Sequence, residues 1–196
     1  MTSKIKVDQI ENTDGVGDVA FTGTGGISLS SVKLSTIKSS NGTTAMSIDS
    51  SGRVATPVRP AFQCKKSSEQ TATGNFETVT WDTPVLNAGG HFGSNKFTVP
   101  VAGLYVFNCT WLSTNDATAH DIVLAKTPSG GSSTALVRTR NATVTLHETV
   151  NLHYVGQFSV NDTVEIQIAG SGQKIYGDSG GADNYAWTTF MGYLLG

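Results

Sequence analysis

From Pro60 onward, apolar and polar residues alternate in short runs at 76–81, 96–99, 104–112, 122–126, 135–140, 144–158, 163–168 and 187–195. Turn-forming Gly, Pro, Asn and Ser residues separate them. A period of two sends successive side chains to opposite faces of a strand, and no stretch of comparable length shows a helical period. About eight such strands predict an all-β sandwich or jelly roll. The earlier chain carries a different pattern: residues 5–27 align without gaps on residues 32–54, at an offset of 27. Lys6/Lys33, Ile10/Ile37, Gly15/Gly42 and Gly25/Gly52 are identical, and apolar positions 5, 7, 10, 19, 21 and 27 meet apolar partners at 32, 34, 37, 46, 48 and 54. Each unit reads as a short strand, a turn at Asp14-Gly15 or Asn41-Gly42, a second strand (Val19 to Phe21; Met46 to Ile48) and a Gly-containing turn. So few apolar positions cannot bury a core in one chain, and association between chains is the natural remedy. Fibre shafts solve the problem by wrapping three chains about one axis. Two prolines in Thr56-Pro57-Val58-Arg59-Pro60 end the repeat. The boundary is therefore set there, with an extended β-repeat segment over 1–57 and a β-sandwich head over 58–196.

Composition supports strands over helices. The chain has 196 residues, among them 26 Thr, 20 Ser and 22 Gly, with only 14% charged. No apolar run is long enough to span a membrane, and the opening Met1-Thr2-Ser3-Lys4-Ile5-Lys6 lacks the apolar centre of a secretory signal. Neither membrane insertion nor Sec-type export is expected. A net charge of −2 without a basic stripe argues against nucleic acid as a partner, and the Lys65-Lys66 pair is too small to serve as one. The two cysteines, Cys64 and Cys109, each follow a phenylalanine by two (Phe62 and Phe107). That spacing makes them small, reduced core residues on the same strand faces as those rings. The sequons at Asn41, Asn108, Asn141 and Asn161 are read as turn Asn beside strand Thr.

The stretch Phe97-Thr98-Val99-Pro100-Val101-Ala102-Gly103-Leu104-Tyr105-Val106-Phe107 resembles the signature of C1q-type domains, trimeric globular heads related to the tumour-necrosis-factor jelly roll. Trp81, Asn87 and Phe92 resemble the family's preceding aromatic, Asn and aromatic positions. The closing Phe190-Met191-Gly192-Tyr193-Leu194-Leu195 resembles its last strand. Three positions depart from the pattern: Trp81 stands for Phe, the gap from Phe92 to Phe97 is two residues short, and Cys109 replaces an aromatic. The physics of the motif points the same way. Val99 to Gly103 breaks a strand at a corner, after which Tyr105, Phe107, Cys109 and Trp111 share one face. The hydroxyl of Tyr105 then needs a partner, expected from a trimer axis or the opposite sheet. The resemblance implies a homotrimer in which Phe97, Pro100, Gly103, Tyr105, Phe107, Phe190, Gly192 and Tyr193 build the core and the packing between heads. The Gly-rich leader, followed by Asp49-Ser50-Ser51-Gly52-Arg53-Val54 and a Pro-initiated head, resembles short fibres and structural proteins of tailed phages, cyanophages especially.

These resemblances imply a virion surface protein made in the host cytoplasm. Residues 1–57 would dock to other virion proteins, and the head would bind a host-surface glycan or protein. Asn115, Asp116, His120, Tyr176, Asp178, Asp183, Asn184 and Tyr185 are the candidate receptor contacts, because they mix aromatic and polar groups in Gly-rich loops. The alternative is a capsid decoration protein or head fibre that stabilises the particle. A secreted signalling module fits the missing export signal poorly.

No enzymatic role, cofactor or metal is assigned. Gly177-Asp178-Ser179-Gly180-Gly181 and Thr118-Ala119-His120 resemble the nucleophile and general-base segments of chymotrypsin-like proteases, yet the chain around them is too short for a second barrel. His147 and His153 lack the neighbours of a closed zinc site. Asp178, Asp183 and Asn184 offer oxygen ligands for calcium without a defining spacing.

Overall fold

A computed structural model describes residues 35–82, 84–113, 119–141, 147–177 and 187–195. The first repeat, residues 5–27, lies outside them. The second repeat forms a small sheet of β1 (Thr36–Lys38), β2 (Thr44–Ile48) and β3 (Val54–Ala55). Both turns follow the sequence. Gly42 and Gly52 take φ of 84° and 78°, which a side chain would resist. The Asp49 carboxylate accepts from Ser51 N at 2.9 Å, Arg53 N at 2.9 Å and Arg53 Nε at 2.7 Å, which closes the second turn.

The head consists of β4 (Ala61–Lys65), β5 (Gln70–Thr71), β6 (Glu77–Thr78), β7 (Leu86–Ala88), β8 (Phe92–Gly93), β9 (Lys96–Thr98), β10 (Gly103–Ser113), β11 (His120–Thr127), β12 (Thr134–Asn141), β13 (Glu148–Phe158), β14 (Thr163–Ile168), β15 (Lys174–Ile175) and β16 (Thr189–Leu194). A seven-stranded sheet runs β5-β15-β10-β16-β4-β7 with β13 on the other side of β10. A six-stranded sheet runs β12-β11-β14-β9-β8 with β6 against β14. Every strand pairing among the described residues is antiparallel, and the two sheets stack as a jelly-roll sandwich.

The core lies between the sheets. Tyr105, Phe107, Cys109 and Trp111 of β10 all point inward, as their alternation predicted, against Ile122, Leu124, Val164, Ile166 and Ile168 of the facing sheet. Phe62 stacks on Phe92 with ring centroids 4.7 Å apart and on Phe97 at 5.0 Å. Phe190 meets Phe62 edge-on at 4.9 Å. Burying one such ring is worth roughly 1.5–3 kcal/mol.

Gly192 lies between Phe107 and Phe62 in the ladder. A Cβ there would come within 2.5 Å of Phe107 Cδ1 and 2.8 Å of Phe62 Cε1. The glycine is the space into which the rings close.

The short gap between Phe92 and Phe97 has a simple form. Phe92 pairs with Phe97 and Gly93 with Lys96, which leaves Ser94 and Asn95 as a two-residue hairpin turn with φ of 50° and 65°. Asn95 Oδ1 then accepts from Trp81 N at 2.8 Å, and Thr80 N donates to Gln70 Oε1 at 2.8 Å. Side chains thus satisfy backbone donors that a ladder would have used, so the strand expected over 76–81 shrinks to Glu77–Thr78. Asn87 closes the neighbouring loop, bonding both Phe92 N and Phe92 O at 3.0 Å.

Tyr105 corrects an expectation. Its hydroxyl donates at 2.8 Å to Val101 O, in the corner just before its own strand, rather than to a trimer axis or the opposite sheet. Burial raises its pKa and the Val101 bond opposes the rise. The lysine pair also divides. Lys66 turns inward and donates to Thr80 O at 2.8 Å, Thr80 Oγ1 at 3.0 Å and Gln70 Oε1 at 3.2 Å, while desolvation lowers its pKa.

Cys64 and Cys109 are free and fully buried, on opposite sides of Phe190 in the ladder. Two strand spacings, about 9.6 Å, exceed the reach of a disulfide. Desolvation pushes the Cys64 thiol up to about 12, although Phe190 O accepts its proton at 3.3 Å, and burial raises Cys109 further. Only the thiolate reacts. In the native chain at pH 8, neither thiol should react with iodoacetamide over an hour, and both should alkylate in guanidinium. Native labelling of either would contradict this placement.

Candidate functional site

Two surfaces of the seven-stranded sheet stand out, and register builds both. On β10, residues opposite in parity to the core set face outward: Leu104, Val106, Asn108, Thr110 and Leu112. Cross-strand pairing extends each into a row. Val106 lies between Val155 of β13 and Tyr193 of β16, with Ala61 of β4 beyond. Leu104 is beside Gln157, and Leu195 N donates to its carbonyl at 2.7 Å. The next row is His153, Asn108, Met191 and Gln63; the one after is Asn151, Thr110, Thr189 and Lys65. The face grades from apolar near the Val99–Gly103 corner to polar beyond, and Lys65 is the first charge met. Val155 and Tyr193 in the strands and Leu195 just after β16 stay 45%, 37% and 45% exposed, apolar surface left uncovered side by side.

The second surface lies at the far end of β10. Leu112, His147, Tyr176 and Trp187 line a pocket of about 360 Å³. They come from the end of β10, the residue before β13, the residue after β15 and the approach to β16, and one buried hydroxyl joins three of these segments. Thr188 Oγ1 donates to Tyr176 O at 2.8 Å and accepts from Leu112 N at 3.1 Å, while Tyr176 N donates to Leu112 O at 2.8 Å. His147 meets the Tyr176 ring edge-on, centroids 5.1 Å apart at 72°. Trp187 is half exposed beside them. The walls are apolar faces with hydrogen-bonding edges, braced from behind and carrying no Lys, Arg, Asp or Glu among the described residues.

Of the expected contact residues, Tyr176 is half-buried in this pocket. Asn115, Asp116, Asp178, Asp183, Asn184 and Tyr185 lie outside the described residues, as do Ser179 of the protease-like pentapeptide and the proposed calcium ligands. His120 is not a loop contact. It opens β11 fully buried, 5.8 Å from the Trp111 ring, because its inward register places it among the core residues. From there it can neither touch a receptor nor serve a surface serine as base. The motif residues divide as well: Phe97, Tyr105, Phe107 and Phe190 are core, Pro100 and Gly103 form the corner, and Tyr193 looks outward.

His147 and Trp187 were missed as site residues. Strand parity carried the signal for Trp187: with Phe190 inward, 187, 189, 191 and 193 fall on the outer face. His147 gives no such signal, since it precedes β13 instead of lying within it.

Residues 61–195 match the family model described as C1q domain. The globular domain of zebrafish complement 1qA protein is similar in structure, with a TM-score of 0.54 at 18% identity, covering 70% of this chain and 98% of its own. Murine APRIL is similar with a TM-score of 0.55 at 16% identity, covering 70% and 99%. No curated protein matches the sequence.

Proposed function

Because the chain belongs to the C1q domain family, we propose that it is a homotrimeric, non-enzymatic binding head on a short phage fibre, carried at the virion surface and presenting its loop end to a host-cell receptor. The observation that carries the trimer is the exposure of Val155, Tyr193 and Leu195, which with half-buried Leu104 surround the nearly buried Val106 in an uncharged apolar patch on the outer face of the seven-stranded sheet. A monomer would leave this patch in water, and further copies of the same chain packed about a three-fold axis would cover it. The repeat in residues 5–54 supports the fibre: the hairpin β1–β2 with β3 has no helix or second sheet over it among the described residues, the geometry of a thin shaft element that gains a core from neighbouring chains. Docking of residues 1–57 to other virion proteins follows from that role.

Trimerisation gives weak individual sites avidity against a surface displaying many receptors. Light scattering on the full chain at several concentrations should give three times the 20.5 kDa chain mass. A monomer at all concentrations would overturn the proposal.

A further inference from the structure

We infer that the pocket of Leu112, His147, Tyr176 and Trp187 is a subsite for a neutral pyranose ring, the terminal or penultimate sugar of a host-surface glycan. The inference rests on the reading of the head as a receptor-binding module and supplies the chemistry of its ligand.

Four observations converge on a sugar. A pyranose has an apolar face of C–H groups rimmed by hydroxyls, so its site needs a flat aromatic wall with donors and acceptors at the edge. Trp187 offers the wall: it is 49% exposed and lines the pocket. Tyr176 and His147 offer the edge, a phenol and an imidazole held perpendicular to one another. The volume, about 360 Å³, lies at the small end for ligand pockets and suits one ring with its substituents. Among the described residues the lining carries no Lys or Arg, and anionic ligands such as sialic acids and phosphosugars require a cation to repay desolvation.

Preorganisation adds to these four. Thr188 is fully buried, and its hydroxyl holds Leu112 and Tyr176 at fixed separation while its own backbone fixes the start of the segment bearing Trp187. A site braced in this way loses little entropy on binding, and weak monosaccharide affinity becomes useful when three copies engage together. Thr188 is thus a positioning residue, and Trp187, Tyr176 and His147 are the contacts.

The test uses the full chain and the methyl glycosides of galactose, glucose, mannose and N-acetylglucosamine in saturation-transfer NMR, with light scattering on the same samples. At least one glycoside should receive transfer at its ring C–H protons, with a Kd of about 1 mM. Trp187→Ala should weaken it at least tenfold without changing the thermal melt, Trp187→Phe should recover part of the loss, and Thr188→Val should weaken it severalfold. Absence of transfer to all four sugars, or affinity within twofold of wild type in Trp187→Ala, overturns the inference. A trimer that binds none of them sinks the sugar subsite and leaves the trimeric head standing. A monomer with Trp187-dependent binding does the reverse. Loss of transfer on trimer formation, with binding restored in a monomeric variant, would show a second copy covering the pocket and would equally overturn the subsite.

Discussion

Gly192→Ala is expected to lower the melting temperature by roughly 6–12 °C, the equivalent of about 3 kcal/mol in a domain of this size. The added methyl would arrive 2.5–2.6 Å from two ring carbons of Phe107 and 2.8 Å from one of Phe62. Neither ring can step aside. Phe107 is itself packed against Tyr105, Phe158 and Phe190 at 6.1, 5.2 and 6.2 Å between centroids, and Phe62 is stacked on both Phe92 and Phe97. Relief would require a shift in β16, which is laddered on both sides. Gly93→Ala is the control: a Cβ there meets nothing within 4 Å, and its effect should stay within about 0.5 kcal/mol. Adding Phe107→Leu should restore part of the stability lost in Gly192→Ala, since the two sites share one volume. A melting temperature within 2 °C of wild type in Gly192→Ala would contradict the ring packing around it.

The same element shows what could be read in the sequence. Alternation along 104–112 put Tyr105, Phe107, Cys109 and Trp111 on one face, because a strand's two-residue period survives in any sheet, while Phe190 was assigned to the core by the family resemblance. The two-residue strands Gln70–Thr71, Phe92–Gly93 and Lys174–Ile175 were not legible, since a period cannot be seen in so few residues. They exist because neighbouring strands offer them a ladder. The Tyr105 partner was missed for a related reason. A corner brings Val101 O back to a hydroxyl four residues later, a geometry set by the turn and invisible in the pattern of apolar positions.

The candidate site was less legible than the core. Four segments far apart in sequence build the pocket, and of its walls only Tyr176 was named as a receptor contact, His147 having been weighed only as a zinc ligand. Polar or aromatic character in a Gly-rich stretch was the criterion, and it also selected His120, whose strand register sends it inward. Parity counted from Phe190 would have recovered Trp187. The brace at Thr188 follows from neither rule, because it depends on β10, β15 and β16 ending at the same level.

Tyr193→Asp should convert the trimer to a folded monomer, a threefold drop in scattering mass, with the melt of the isolated head little altered. In the monomer the carboxylate stands in water, because Tyr193 is 37% exposed and its side chain contributes to no inner contact. In the proposed trimer it would be pressed against the apolar rows of Val106 and Val155. Three-fold symmetry repeats the insult in every interface, and each buried, unpaired carboxylate costs several kcal/mol. No lysine or arginine lies in the two rows nearest it, so no local ion pair can offset the cost. Tyr193→Phe should keep the trimer, which separates loss of the hydroxyl from gain of the charge. Ser171→Asp, in an exposed turn between β14 and β15, adds the same charge off this face and should keep the trimer as well. If Tyr193→Asp retains the trimeric mass, the chains associate through another surface, and the apolar rows must be covered by something other than a copy of the head.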